Sequence, residues 1–88
     1  MDSHPPSPHA PRLHAMAGAI RARRKSLRLT QVALSRLAGC GVDFVYDVET
    51  GKPSLRLDKV LDILAVLGLE LVLAPGRDVL RVAAEPAR

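Results

Sequence analysis

The side chains able to do chemistry in this chain fall into three sets: one thiol at Cys40, imidazoles at His4, His9 and His14, and a run of charged and amide groups between Arg21 and Arg56. The first two sets lack partners. A nucleophilic cysteine needs a base held beside it, and a metal needs several ligands at fixed spacing. These histidines instead sit in or beside a proline-rich stretch that gives them no fixed geometry. No catalytic residue, cofactor or metal site is expected. The third set has a coherent chemistry. Lys52 and Arg56 can donate to phosphate oxygens, and Gln31 can offer its amide to a phosphate or a base edge. Asp43 and Asp47 can accept from cytosine N4, and Tyr46 can stack on a sugar or meet a thymine methyl. Those are the contacts of a duplex-reading surface rather than of bond-making.

Two short helices joined by a glycine turn would present these groups. Thr30 suits an N-cap, because its hydroxyl can accept from a free N–H of the first turn, and Leu34, Leu37 and Ala38 then share one face of a helix that ends at Gly39. Gly39-Cys40-Gly41 supplies the reversal, with Cys40 tucked beneath it and Gly41 opening the next helix. In that helix Val45 and Val48 point inward, with Phe44 beside them as core or turn packing. Gly41, Val42, Asp43, Tyr46 and Asp47 lie at its start and on its exposed face. Gly51 closes it and Pro53 forbids its continuation. The outline is that of a helix-turn-helix, whose second helix enters a major groove.

With 88 residues the chain has room for one domain with a small core, and its net charge of +4 favours an anionic partner. The charge is unevenly spread. Arg21, Arg23, Arg24, Lys25 and Arg28 follow one another without an acid, whereas Val42 to Gly51 holds Asp43, Asp47 and Glu49 and no base. The basic run fits either phosphate contacts or an ordinary solvated helix face, and Lys52 and Arg56 are the better-placed phosphate ligands. Asp43 fits either a base reader or a carboxylate favoured by the helix N-terminus. Residues 1–11 carry four prolines and no periodic apolar face, the composition of a disordered arm rather than a secretion signal. No apolar run approaches the roughly 20 residues that span a bilayer, and the single cysteine cannot form an intrachain disulfide. A cytoplasmic protein with no membrane partner is expected.

Around this motif the periodicity predicts a first helix from about Leu13 to Leu27 and a fourth from about Leu57 to Leu67. In the fourth, Leu57, Val60, Leu61, Leu64 and Leu67 form the expected core stripe. Ile63 and Val66 fall off it and call for a second surface. Leu69 to Leu73, stopped by Pro75, suits a short strand whose ladder bonds come from the same strand of a partner subunit or from an edge on another protein. Ile63, Val66, Leu69, Leu71 and Leu73 are therefore the expected dimer interface. The expected organisation is a disordered arm over 1–11, a DNA-binding and dimerisation domain over 12–74, and a tail over 75–88.

Taken together, Arg24, Leu29-Thr30-Gln31, Leu34, Gly39, Phe44-Val45, Glu49, Gly51-Lys52-Pro53 and the Leu-Gly-Leu-Glu-Leu of Leu67 to Leu71 resemble the Xre-type helix-turn-helix repressors, and within them the HipB-like antitoxin regulators. The resemblance covers about Leu13 to Leu73. It implies a mainly α fold, a four-helix lambda-repressor-like domain with a short C-terminal strand completing an intersubunit sheet. It also implies an ion pair between Arg24 and Glu49 that ties the first helix to the third. By their residue types alone the two fit either a bidentate pair or two solvated charges. The same resemblance gives Gln31 a phosphate or base contact, and implies a homodimer that represses its own operon and holds a kinase-like toxin partner. The reading face departs from the family pattern. Asp43 and Tyr46 stand where relatives commonly carry Arg, Lys, Gln or Ser, and Thr50 stands where a basic residue is common. The expected function is a sequence-specific repressor of an operator in double-stranded DNA, the autoregulating antitoxin of a HipBA-like module. The alternative is a toxin-docking protein module whose DNA readout is reduced or lost.

Overall fold

A computed structural model of the protein describes residues 7–83, so the first six residues of the expected arm and the last five of the expected tail lie outside the described residues. Four helices form: α1 (Ala10–Ser26), α2 (Gln31–Ala38), α3 (Val42–Thr50) and α4 (Leu57–Leu67). Helix α1 starts before Leu13 because Pro11 falls in its first turn, where a missing N–H leaves no bond unmade. Its last turn carries Arg23, Arg24 and Lys25, which suit the carbonyl-rich end. The chain then reverses through Arg28 in the left-handed region (φ 60°) and enters α2, where Thr30 Oγ1 accepts from the Ala33 N–H at 3.0 Å.

Gly39 ends α2 at φ 72°, a conformation that costs an L-residue about 1–2 kcal/mol. Gly51 is constrained twice. It ends α3 at φ 80°, and a Cβ there would stand 3.2 Å from His14 Nδ1 on α1. That close approach holds the C-terminal end of α3 against the first helix.

Ile20, Leu34, Val45, Val48, Val60, Ile63, Leu64 and Leu67 make one core to which every helix contributes. Its composition corrects two expectations. Leu37 is exposed, because the inner face of α2 is centred between Leu34 and Ser35, both buried, and turns Leu37 outward. In α4 the buried set is Val60, Ile63, Leu64 and Leu67, while Leu57 and Leu61 are exposed. Ile63 is 0% exposed within the single chain and so cannot be the dimer contact expected of it; Val66 is half-buried against the same core. At about 100° per residue, a helix apolar around most of its circumference offers two overlapping stripes. Packing against α1 and α2 selects the one centred near Val60 and Leu67.

Beyond α4, the Leu69 N–H donates to the Leu64 carbonyl at 2.9 Å, and Leu69 is half-buried beside the core. No strand forms among the described residues, and no backbone hydrogen bond joins residues 70–74 to other described residues. Leu71, Val72 and Leu73 are exposed, Leu73 fully. An isolated extended segment has no ladder partner within one chain, so it stays irregular. The tail then returns to α1: Arg12 Nε donates to the Asp78 carbonyl, and Leu71 and Leu80 border an open apolar groove with Leu13 and Met16.

Candidate nucleic-acid interface

Glu49 is the hub of the helix-turn-helix. Its carboxylate accepts from Arg24 Nε at 2.7 Å and Arg24 Nη2 at 2.9 Å, and from Gln31 Nε2 at 3.1 Å. Arg24 Nη1 donates to the Leu29 carbonyl at 2.8 Å. The side chains of Arg24 and Glu49 are 10% and 2% exposed, so this is a buried, fully bonded, bidentate pair. The hydrogen bond to Glu49 raises Arg24 above its ordinary pKa, against the opposing effect of burial, and the charge of Glu49 adds to the rise. Three elements therefore meet on one carboxylate: the end of α1, the start of α2 and the last turn of α3.

Above that hub lies an open polar crevice lined by Arg21, Gln31, Tyr46, Glu49 and Thr50. Gln31, half-buried, spends one amide N–H on Glu49 and keeps the other and its carbonyl oxygen for an outside partner. Tyr46 is 58% exposed. Gly41 at the N-cap of α3, with Val42 and Asp43 in its first turn, is also exposed, so the outward face of α3 is continuous from Gly41 to Tyr46.

The other rim differs. Lys52 Nζ stands 3.5 Å from Asp47 Oδ2. Arg56 is engaged fork to fork with Asp58, Nε to Oδ1 at 3.2 Å and Nη2 to Oδ2 at 2.6 Å. Arg56 holds the Asp58 carboxyl below its usual pKa by that hydrogen bond, with the Lys59 N–H helping. The structure thus groups Gln31, Gly41, Val42, Asp43 and Tyr46 on one surface and gives Lys52 and Arg56 acidic partners of their own.

Two contacts had no signal at the level of sequence. Asp58 is too common a residue at a helix start to mark itself as the partner of Arg56. Arg23 Nε donates to the Leu67 carbonyl at 2.8 Å, capping α4 from 44 residues away. Arg21 did have a signal, since it lies one turn before Arg24 on α1, but only the packing of α3 shows that it reaches the crevice.

Residues 15–75 match the profile of a family described as a helix-turn-helix domain. The chain belongs to that family. This helix-turn-helix chain is 43% identical over 58 residues to an uncharacterized HTH-type transcriptional regulator, y4mF, of Sinorhizobium fredii (strain NBRC 101917 / NGR234), covering 65% of this chain and 76% of the relative. Among solved structures it is similar to the restriction-modification controller protein C.AhdI from Aeromonas hydrophila, at a TM-score of 0.65 and 26% identity over 73% of this chain and 93% of that one. It is also similar in fold to a chain of the HipA-HipB-O2-O3 complex, at a TM-score of 0.68 and 20% identity over 86% of this chain and 100% of that one. The helix-turn-helix chain is a DNA-binding transcriptional regulator and not an enzyme. None of its described helices is long and apolar enough to cross a membrane.

Proposed function

We propose that the chain is a sequence-specific repressor that works as a homodimer, and that it is the autoregulating antitoxin of a two-protein module. The observation that carries the DNA half of this reading is the Glu49 hub. By holding Arg24 and Gln31 together it fixes the angle of α3, which supports a docking in which Gln31 meets the backbone beside a major groove and Val42, Asp43 and Tyr46 face the bases. The dimer is supported by residues 70–74, whose backbone groups have no partner among the described residues and whose Leu71, Val72 and Leu73 are exposed. A matching segment of a second copy would supply both the ladder bonds and the apolar cover. Val66 and Leu69 would sit at the edge of that contact. The fold likeness to a chain solved with HipA supports a protein partner, for which a kinase-like toxin is the candidate.

A mobility-shift titration on the DNA upstream of the chain's own gene tests the reading, with a scrambled duplex of the same length as control. A sequence-specific repressor binds the upstream duplex at least 10³-fold more tightly. A second reading, a protein-docking module with weak DNA readout, is favoured by the acidic residues of α3. Equal affinity for the two duplexes would select it.

A further inference from the structure

The two rims of the reading helix carry different charge balances, one with unpaired cations and one with its cations paired. On the α1 side, Arg21 lines the polar crevice beside Gln31 and Tyr46. Lys25 follows one helical turn later on the same face of α1, and Arg28 lies in the turn that leads into α2. All three are exposed, and none forms an ion pair with a described residue. Glu49, the carboxylate that lines the crevice with Arg21, is buried and already neutralised by Arg24. On the other rim each of two cations, Lys52 and Arg56, stands beside a carboxylate of its own, Asp47 and Asp58. Arg56 has committed two of its donors to Asp58. Lys59 lies toward Cys40, and its charge also acts on Asp58, so it adds to the neutralisation of that carboxylate rather than standing free.

From this imbalance we infer that the phosphate backbone is gripped from one side, by Arg21, Lys25 and Arg28 along α1, rather than by the loop between α3 and α4. This rests on the DNA-binding reading above. A phosphate approaching Lys52 must also approach Asp47, and one approaching Arg56 must displace Asp58 from a bidentate contact. Exposed ion pairs are weak singly, but a carboxylate beside each cation cancels its field at the distance where a phosphate would sit. On α1 no described residue pairs with Arg21, Lys25 or Arg28 to cancel it. The crevice adds the free amide N–H of Gln31 and the hydroxyl of Tyr46, neutral donors for an anion, while its one lining carboxylate, Glu49, is paired with Arg24. The neutralised loop rim leaves groove recognition to the outward face of α3.

Fluorescence anisotropy on the upstream duplex and on a scrambled duplex, from 50 to 200 mM NaCl, tests this through the slope of log K against log[salt]. Each lost phosphate contact lowers that slope by about 0.9. Arg21→Gln with Lys25→Gln should lower it by about two on both duplexes, which shrinks the loss of affinity across this salt range about tenfold. Lys52→Gln with Arg56→Gln should lower it by less than one. Asp47→Asn with Asp58→Asn should steepen it, because two released cations become available. All these positions are exposed or half-buried, and a thermal melt checks that each variant is folded. A loop variant that loses as much slope as the α1 variant, while the unaltered protein still binds, overturns this inference alone. No salt-dependent binding of the unaltered protein to either duplex overturns the DNA reading and this inference with it.

Discussion

Removing the Glu49 carboxylate should cost more stability than any surface change in the molecule. Glu49→Ala deletes three hydrogen bonds at once, two from Arg24 and one from Gln31. It leaves a guanidinium that is only 10% exposed with the Leu29 carbonyl as its remaining partner. Breaking one side of a buried pair costs about 3–5 kcal/mol, chiefly because the survivor is an uncompensated charge. Arg24 sits at the C-terminal end of α1, where the helix dipole favours a cation, so the lower end applies, about 3 kcal/mol. For a domain under 100 residues that is a fall in Tm of roughly 12–24 °C. Replacing both partners, Arg24→Met with Glu49→Leu, should recover most of the loss, since the penalty lies in the orphaned charge rather than in the missing attraction. The double variant should nevertheless bind DNA weakly, because Gln31 has lost its anchor. The contribution should hold across neutral pH: Arg24 is raised above its ordinary value, so the stabilisation is complete below that value and fades only as pH rises through the raised one. Circular dichroism melts and urea titrations at pH 7 provide the assay. A Glu49→Ala variant within about 0.5 kcal/mol of the parent would mean that the pair is solvated, and the argument for a fixed α3 would fail.

Three further outcomes follow from the packing. Gly51→Ala should destabilise by about 1–2 kcal/mol from the left-handed backbone alone, and by more from its contact with His14, so a melt unchanged from the parent would contradict the close approach of α1 and α3. Ile63→Ala should cost about 2–5 kcal/mol in a urea titration at any protein concentration, because the side chain fills the core of one chain, while Leu61→Ala should cost far less; a loss that vanishes on dilution would put Ile63 back in an interface. Burial raises the Cys40 thiol, so its alkylation by iodoacetamide at pH 8 should be slower in the native protein than in urea, and stability should begin to fall as pH rises past the ordinary thiol value; equal rates would show an open turn.

The helix-turn-helix itself was legible because its punctuation is local. Thr30 through its hydroxyl, and Gly39, Gly41, Gly51 and Pro53 through the backbone, each act within one turn, and α2 and α3 begin and end where those residues require. The Arg24–Glu49 contact was open on residue types alone and needed the family resemblance, since nothing local joins positions 25 residues apart. The face of α4 was misjudged for a different reason. With Leu57, Val60, Leu61, Ile63, Leu64, Val66 and Leu67 in eleven residues, periodicity does not select a stripe; only the surfaces of α1 and α2 do. The segment over Leu69 to Leu73 has strand composition but no ladder within the chain, and composition cannot supply a partner. The acidic partners of Lys52 and Arg56 were hidden because a surface ion pair leaves no pattern in sequence.

The central claim is that the outward face of α3 reads a major groove. Methylation-interference footprinting on the chain's own upstream DNA addresses it most directly, because it reports contact with guanine N7 in that groove. A homodimer of this fold should give two patches of interference, centred about one helical turn or roughly 34 Å apart, on one face of the duplex. Those patches should be lost with Tyr46→Ala and Gln31→Ala while weak salt-dependent binding persists. Retarded complexes with no interference at any guanine would contradict groove reading by α3.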